Sequence, residues 1–345
     1  MVGERVDLRR ALGVTRVARV TGLDRTGIEV ASAVRPEGHV LQVCNGKGLR
    51  FEEAEQGALH ETAELWASER VPLPELIWGT ADELPGGWTD VPLAAPRLWG
   101  SGVRCAWRRA LELQSGAEVL VPALAVHCPP SSGPLLGPAA ARWTSNGTAA
   151  HPVREAALQH ALCEAIERDQ LARAFPSGWT AGAVRRRKLR TVPARVAALV
   201  ERLAGRGFDA HLFDASGSIG VPVAAALLVD REEGPVPLTA GYACRPRAED
   251  ALVAALLEAA QSRLTDVHGA REDVVPADRR QMAALRRACE AAPGRAPLPR
   301  DEERLLRALG KAGFARAAAV DLAPGTLPVH VVKVIVPGLR LSELL

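Results

Sequence analysis

The sequence predicts an α+β fold of repeated strand–turn–helix units, in which helices pack on mixed or antiparallel sheets. Short runs rich in β-branched residues are scattered between longer helical stretches, and several strands precede each helix. One helical pattern also occurs three times along the chain. Strict alternation of single strands and helices would instead favour a parallel sheet.

The elements follow from local patterns in chain order. Five runs are predicted as strands: residues 14–20, 38–43, 117–125, 221–229 and 331–337. Six stretches are predicted as helices: residues 51–69, 153–174, 192–205, 248–264, 278–291 and 302–313. Residues 73–99 and 129–147 are rich in Pro and Gly and are predicted as loop excursions. Neither has the length or polarity of a domain linker, so residues 1–345 are predicted to form one domain.

The composition is that of a soluble globular protein. The chain has 345 residues, of which 48% are hydrophobic and 24% charged, with a net charge of +3. These values exclude a disordered chain, a collagen and a disulfide-stapled miniprotein. No apolar run approaches the ~18–20 residues of a membrane span, and the charged N-terminus does not resemble a signal peptide. A cytoplasmic protein that binds neither membranes nor nucleic acid is therefore predicted.

The basic residues and the cysteines restrict the chemistry further. Lysine occurs only at positions 47, 188, 311 and 333, so a lysine is more informative here than one of the abundant arginines. The six cysteines form no Cys-x-x-Cys pair and no zinc-ligand cluster, which predicts buried, reduced thiols. Cys163 lies in a predicted helix among glutamates, where thiolate formation is disfavoured, so a cysteine protease is not indicated.

The most informative feature is an internal repeat. The pattern Ala-Leu-x-Glu-x-x-Glu/Gln occurs at residues 58–64, 161–167 and 255–261. Each copy follows a glycine-bearing segment predicted as a turn, at residues 46–48, 145–147 and 240–242. Such a repeat indicates stacked units of one fold. Chance is the alternative, because Ala, Leu and Glu are common in this chain.

The repeated helices place carboxylates in pairs. Residues i and i+3 share a helix face, so Glu61 lies beside Glu64 and Glu164 beside Glu167. Their neighbours are apolar, which predicts partial burial and therefore a need for cations. With oxygen donors alone the fitting ion is Mg²⁺, which commonly shares its coordination shell with phosphate. The alternative is a surface helix whose carboxylates are neutralised by solvent or arginine.

Basic residues near the glycines indicate a phosphate site. Lys47 lies between Gly46 and Gly48 just ahead of a helix, where backbone amides can approach an anion. The segment is not a Walker A motif, and a hairpin turn with an exposed lysine is the alternative. Arg168 and Arg263 are further candidates for phosphate contact.

These motifs resemble the YcaO family. The opening Thr15–Ile28, the segment Ala33–Pro36, Gly46-Lys47-Gly48 and Glu61-x-x-Glu64 are similar to the start of that family. Ser145-Asn146-Gly147, leading to Glu164–Asp169, is similar to its ATP-site segment. Glu258–Arg263 resembles its third motif, and Val329–Leu339 its C-terminal strand. The resemblance covers nearly the whole chain in the family's order.

The resemblance implies an ATP- and Mg²⁺-dependent enzyme with a YcaO-like fold. Members attack a peptide bond of a ribosomally made peptide and phosphorylate the amide-derived oxygen, leaving an azoline, an amidine or a thioamide. The expected partners are a precursor peptide and a TfuA-like or leader-binding protein, with the enzyme itself a homodimer. Thr21–Arg25 and Glu64–Glu69 are most similar to the subgroup encoded beside TfuA proteins, which is associated with thioamide formation.

The resemblance also implies roles for individual residues. The expected Mg²⁺ ligands are Glu61, Glu64, Glu164 and Glu167. The expected ATP contacts are Asn45 and Lys47 beside the phosphates, Ser145 and Asn146 in the nucleotide turn, and Gln159, Arg168 and Arg263 at the phosphates or ribose.

The sequence departs from the family pattern near the nucleotide turn. His151 and Pro152 stand where the family has Gly and Asn, and Ala156 stands where it has Glu. Glu155 is one residue away from that last position. The alternative hypothesis is therefore a nucleotide-incompetent member that binds the precursor peptide or a partner protein. The basic run 185–190 is either a solvated helix end or a surface for an acidic leader peptide.

Overall fold

The computed structural model describes residues 7–93, 99–140, 142–269 and 279–341. Its strands are β1 (Arg16–Arg19), β2 (Glu29–Val34), β3 (Val43–Gly48), β4 (Ile77–Gly79), β5 (Cys105–Glu112), β6 (Glu118–Pro122), β7 (Thr148–His151), β8 (Phe208–Asp214), β9 (Val223–Asp230), β10 (Leu238–Cys244), β11 (Ala318–Asp321) and β12 (His330–Ile335). Its helices are α1 (Leu8–Ala11), α2 (Phe51–Glu69), α3 (Ala123–Val126), α4 (Arg154–Ala174), α5 (Ala181–Arg187), α6 (Ala194–Ala204), α7 (Ala248–His268), α8 (Arg279–Ala291) and α9 (Leu305–Lys311).

The strands form three antiparallel sheets, which confirms the predicted α+β fold. One sheet has the order β1-β2-β3 and another the order β10-β9-β8. The third runs β4-β5-β11-β12-β7, with β6 also paired to β5. In the described part of the chain, no helix is long and apolar enough to cross a bilayer.

The three copies of the repeated pattern lie on three corresponding helices. We call β3 with α2 the first unit, β7 with α4 the second unit, and β10 with α7 the third unit. In each, a long helix follows its strand directly and packs on that strand's sheet, burying the alanines and leucines of the repeat. The helix faces that carry the glutamates therefore all lie against strands.

Two of the glycine segments are strands and not turns, which corrects the prediction for residues 46–48 and 240–242. Gly46 lies in β3, and a Cβ there would meet the Ala54 carbonyl oxygen at 2.0 Å. Gly241 lies in β10, and a Cβ there would meet the Ala259 nitrogen at 2.2 Å. The glycines are needed because helix and strand backbones touch. Only Gly147 lies in a turn, with φ +75°.

Most of the strand predicted at residues 38–43 is not formed: residues 38–42 lie in the loop between β2 and β3, and β3 begins only at Val43. The Glu69 carboxylate accepts hydrogen bonds from the backbone amides of His39 and Val40, both at 2.9 Å. It also forms a bidentate ion pair with Arg35 at 2.7 Å. A buried ion pair thus satisfies amides that a sheet would otherwise have used.

Gly46→Ala is expected to destabilise the protein by about 1–3 kcal/mol, because the added methyl would force helix and strand apart. Gly310→Ala is the matched control, because that helical glycine has open space around it. There a gain of about 0.5–1 kcal/mol is expected from helix propensity. Urea unfolding measures both changes, and equal effects at the two positions would contradict the close-packing explanation.

Candidate functional site

Two glutamates are held by the strand of their own unit. Glu61 on α2 accepts a hydrogen bond from the Asn45 amide of β3 at 3.1 Å. Glu258 on α7 accepts one from the Tyr242 amide of β10 at 3.3 Å. Both bonds span sixteen residues, so equivalent positions of the repeat make equivalent contacts.

Two further glutamates are held by the strand of the following unit. Glu64 accepts a hydrogen bond from the Ala150 amide of β7 at 2.9 Å, and Glu167 accepts one from the Cys244 amide of β10 at 2.8 Å. In the third unit, Gln261 occupies the equivalent position and donates from Nε2 to the Asn45 carbonyl of β3 at 3.0 Å. The hydrogen bonds therefore run from unit to unit and return to the first. We call Glu61, Glu64, Glu167, Glu258 and Gln261, together with Glu164, which acts electrostatically on Glu64, the carboxylate ring.

Burial and mutual repulsion disfavour negative charge in the carboxylate ring. Burial raises the pKa of Glu64 well above its usual range, and the charge of Glu164 raises it further. Burial raises the pKa of Glu164 to about 7, although Arg168 opposes the shift. The pKa of Glu167 is raised for the same reason. Additional positive charge would therefore be bound favourably here.

Several basic groups lie against the ring. The Lys47 ammonium pairs with Glu258 at 2.7 Å and, despite burial of the carboxyl, helps to lower the pKa of Glu258. The Arg168 guanidinium lies 3.8 Å from Glu167. Its Nε is buried and has no hydrogen-bond acceptor among the residues that the structure describes. An unsatisfied guanidinium N–H beside carboxylates is a ready donor for a phosphate oxygen.

Histidines that the sequence did not indicate as site residues lie beside the carboxylate ring. The rings of His60 and His151 lie 6.0 Å apart, edge to face. Burial lowers the pKa of His60 to about 4 and that of His160 to about 3, and neighbouring cations lower the latter further. Both imidazoles are therefore neutral at physiological pH and add no charge to the ring.

The donor chemistry of the ring fits Mg²⁺ with a phosphate-bearing ligand. The carboxylates offer only hard oxygen donors, and the unpaired Arg168 Nε offers an anion contact. Among the described residues, no three His, Cys, Asp or Glu side chains by themselves form a cage around one metal ion. A single Mg²⁺ ion would therefore take at most two of these carboxylates at a time and complete its shell with phosphate and water.

The residues predicted to contact the nucleotide differ in how exposed they are. Asn45 is buried, and its side chain accepts from Ser32 at 2.7 Å and donates to Thr265 at 3.0 Å. Ser145 is exposed and Asn146 half-buried in the turn before β7. Gln159 is exposed on α4, the helix that carries Glu164 and Arg168.

Arg263 pairs with aspartates that are not members of the carboxylate ring, and its expected contact with the phosphates stays a prediction. Its side chain is 3% exposed and donates to Asp24 and to Asp230, each at 3.0 Å. Arg25 also pairs with Asp230. We call these four residues the aspartate–arginine brace. It fastens the opening Thr21–Arg25 segment to α7, and the Arg263 guanidinium also donates to the Val236 carbonyl.

The departures from the family pattern do not disrupt the second unit. β7 forms through His151, and its Ala150 amide still reaches Glu64. The His151 ring nitrogen Nδ1 accepts from the Val153 amide at 2.9 Å just before α4 begins. Glu155 is exposed in the first turn of that helix.

Glu164→Gln is expected to change how stability depends on pH. The carboxyl titrates near 7 when folded but near 4.5 when unfolded, so the folded state binds the proton more tightly. In buffer without divalent cations, this contribution is present at acidic pH and is lost as pH rises through 7. The melting temperature of Glu164→Gln relative to wild type should therefore rise from pH 5 to 7.5 and then level off. A pH-independent difference would contradict this, and Glu155→Gln on the same helix is the control.

A protein-family model matches residues 45–340 and is described as YcaO cyclodehydratase, ATP- and Mg²⁺-binding. The chain belongs to the YcaO family. This confirms the predicted family, and the family description names the predicted cofactors, ATP and Mg²⁺.

Relatives of similar length support the assignment to the YcaO family. A protein of Methanothermobacter thermautotrophicus is 32% identical, and the match covers 95% of this chain and 90% of the relative. A Rhizobium leguminosarum protein, named as lying in the tfuA 3′ region, is 29% identical over 96% of this chain and 85% of its own.

Solved YcaO structures share the fold. The structure of YcaO from Methanopyrus kandleri bound with AMPPCP and Mg²⁺ matches with a TM-score of 0.74 and 24% identity, covering 96% of this chain and 87% of that one. A heterocyclase in complex with substrate and cofactor matches with a TM-score of 0.75 and 17% identity, covering 99% and 53%. The E. coli microcin synthetase McbBCD complex with pro-MccB17 bound matches with a TM-score of 0.65 and 15% identity, covering 98% and 91%.

The sequence analysis also missed members of the site. Glu258 and Gln261 belong to the third copy of the repeat, but the sequence pattern by itself did not indicate a role for either residue. The repeat itself contained the necessary information, because it aligns Glu258 with Glu61 and Glu164.

Proposed function

We propose that this protein uses ATP and Mg²⁺ to modify a backbone amide of a ribosomally synthesised peptide. The observation that carries the proposal is the carboxylate ring, in which five glutamates from three helices, Glu167 buried and the others half-buried, lie with Lys47 and the buried Nε of Arg168. Such a concentration of buried negative charge favours a divalent cation. Membership of an ATP- and Mg²⁺-binding family supports the same conclusion.

The residues of the ring have separable roles in this proposal. Glu61, Glu64, Glu164 and Glu167 supply carboxylate oxygens for Mg²⁺, and the strand amides hold those carboxylates in orientation. Arg168 supplies a donor for a phosphate oxygen, and Lys47 supplies positive charge from β3. Transfer of the γ-phosphoryl group of ATP to the amide-derived oxygen would release ADP and convert a poor leaving group into a good one. After external sulfide had added to the amide carbon, that oxygen would leave as phosphate and the carbon would keep the sulfur. The chain's own contribution is positioning and charge neutralisation.

For the product, we propose a thioamide. The relative encoded in a tfuA 3′ region supports this choice and also supports a TfuA-like protein as the partner. The neighbours solved with substrate or with pro-MccB17 support a peptide substrate. We further propose that the enzyme acts as a homodimer and that it is located in the cytoplasm. Light scattering of the purified protein would test the oligomeric state.

Two measurements test the proposed function. Isothermal titration with AMPPCP and Mg²⁺, with and without the precursor peptide, should show nucleotide binding. Mass spectrometry of a precursor co-expressed with this protein and its partner should show exchange of oxygen for sulfur, whereas loss of water would indicate an azoline.

Absence of nucleotide binding under every condition would refute the enzyme proposal. If the protein then bound the peptide alone, it would be the nucleotide-incompetent subunit of the alternative hypothesis. In that case, restoring the family residues with H151G, P152N and A156E should create ATPase activity.

A further inference from the structure

The turn that carries Ser145 and Asn146 rests on the last strand, β12. Val334 donates its amide to the Gly147 carbonyl at 2.7 Å, and Lys333 lies opposite Thr148 in the antiparallel register. A Cβ at Gly147 would lie 2.7 Å from the Val334 carbonyl oxygen, so the turn approaches this strand very closely. The position of the turn therefore depends on β12.

The Lys333 side chain makes the contact specific. It is 3% exposed, and its Nζ donates to the Thr144 carbonyl at 2.8 Å and to the Asn146 carbonyl at 2.7 Å. These two carbonyls flank Ser145. The ammonium also lies 5.8 Å from the centre of the Trp143 ring. One buried cation thus fixes both sides of the turn.

A buried ammonium is costly unless its hydrogen bonds and charge are satisfied. Burial lowers the pKa of Lys333 to about 8, and the negative charge of Glu164 opposes that shift. Its neighbours on the same face of β12, Val331 and Ile335, are buried and apolar, so packing alone would favour an apolar side chain here. Lysine is also rare in this chain, with only four among 43 basic residues.

We propose that Lys333 is a positioning residue of the nucleotide site, which holds the 144–147 turn in its binding conformation. This inference rests on the proposed function. Lysine suits the role because its single nitrogen carries three donors, so that it can bind two carbonyls and still attract a carboxylate. Neither the family description nor the sequence analysis assigns a role to this residue.

The test compares Lys333→Met with Lys333→Arg and with the exposed control Lys311→Met. Titration with AMPPCP and Mg²⁺ is done at a temperature where every variant is folded. Lys333→Met loses two charge-assisted hydrogen bonds to the turn, so its Kd should rise by about tenfold or more. Lys333→Arg, which retains charge and donors, should recover most of the affinity, and Lys311→Met should bind as wild type does.

The outcomes separate this inference from the proposed function. A wild-type Kd for folded Lys333→Met overturns the positioning role while leaving nucleotide binding in place. Failure of the wild type itself to bind overturns both. A lower melting temperature with an unchanged Kd would show a merely structural role and would also overturn the inference. If Lys333→Met does not fold, Lys333→Gln decides: weakened binding supports the inference, and a wild-type Kd refutes it.

Discussion

Glu64→Gln is expected to abolish Mg²⁺-dependent nucleotide binding and, at the same time, to raise the melting temperature of the unliganded protein. Glu64 is half-buried beside Glu164, and no described basic side chain forms an ion pair with it. Removing its charge relieves desolvation and repulsion, whereas the amide can still accept from the Ala150 N–H. The same change removes a proposed Mg²⁺ ligand, so activity and stability should move in opposite directions.

Titration with AMPPCP and Mg²⁺, together with thermal unfolding in EDTA, measures the two effects. The affinity should fall by about a hundredfold or more, equivalent to about 3 kcal/mol. Glu52→Gln, which changes an exposed carboxylate of the same helix, is the control and should affect neither quantity. Retained affinity in Glu64→Gln would exclude this carboxylate from the metal site. A lowered melting temperature would show that its charge is already compensated.

Arg263→Met is expected to have the largest effect on stability, a loss of about 3–5 kcal/mol. It leaves Asp24 buried without its cation and removes one of the two arginines that pair with Asp230. Removing one partner of a buried ion pair is far more damaging than removing an exposed one. Arg231→Met is the matched control, because Arg231 and Asp209 are exposed and a loss of about 0–1 kcal/mol is expected.

Urea unfolding of the two variants tests this prediction. Since the brace lies outside the carboxylate ring, the fraction of Arg263→Met that remains folded should bind nucleotide as the wild type does. A stable Arg263→Met variant that has lost nucleotide affinity would support the phosphate-contact role that the resemblance implied.

The helices were predictable because their information is local. The expected bounds of 51–69 and 153–174 agree with α2 and α4 to within one residue. The strands were harder to predict, because each strand is stabilised by hydrogen bonds to partners that lie far along the chain. β8 was missed between a helix and a second strand, although all seven of its residues pair with β9. Most of the expected strand at 38–43 failed to form because Glu69 captures its amides.

Only those residues of the site that belong to the repeated helix pattern could be predicted from the sequence. The spacing of the two glutamate pairs indicated carboxylates on one helix face, and the structure brings these four residues close enough to shift one another's pKa. The role of Glu258 depends on Lys47, which lies 211 positions earlier. The partners of Arg263 are as distant, because Asp24 precedes it by 239 positions. No local pattern encodes contacts of that range.

The closure of the carboxylate ring by Gln261 has a consequence for biosynthesis of the protein. The bond from Gln261 to Asn45 joins residues 216 positions apart, so the last member of the circuit emerges from the ribosome long after the first. A nascent chain that has completed only its first two units lacks Glu258, the counter-charge to Lys47. Translation therefore leaves the carboxylate ring incomplete until the third helix has been made.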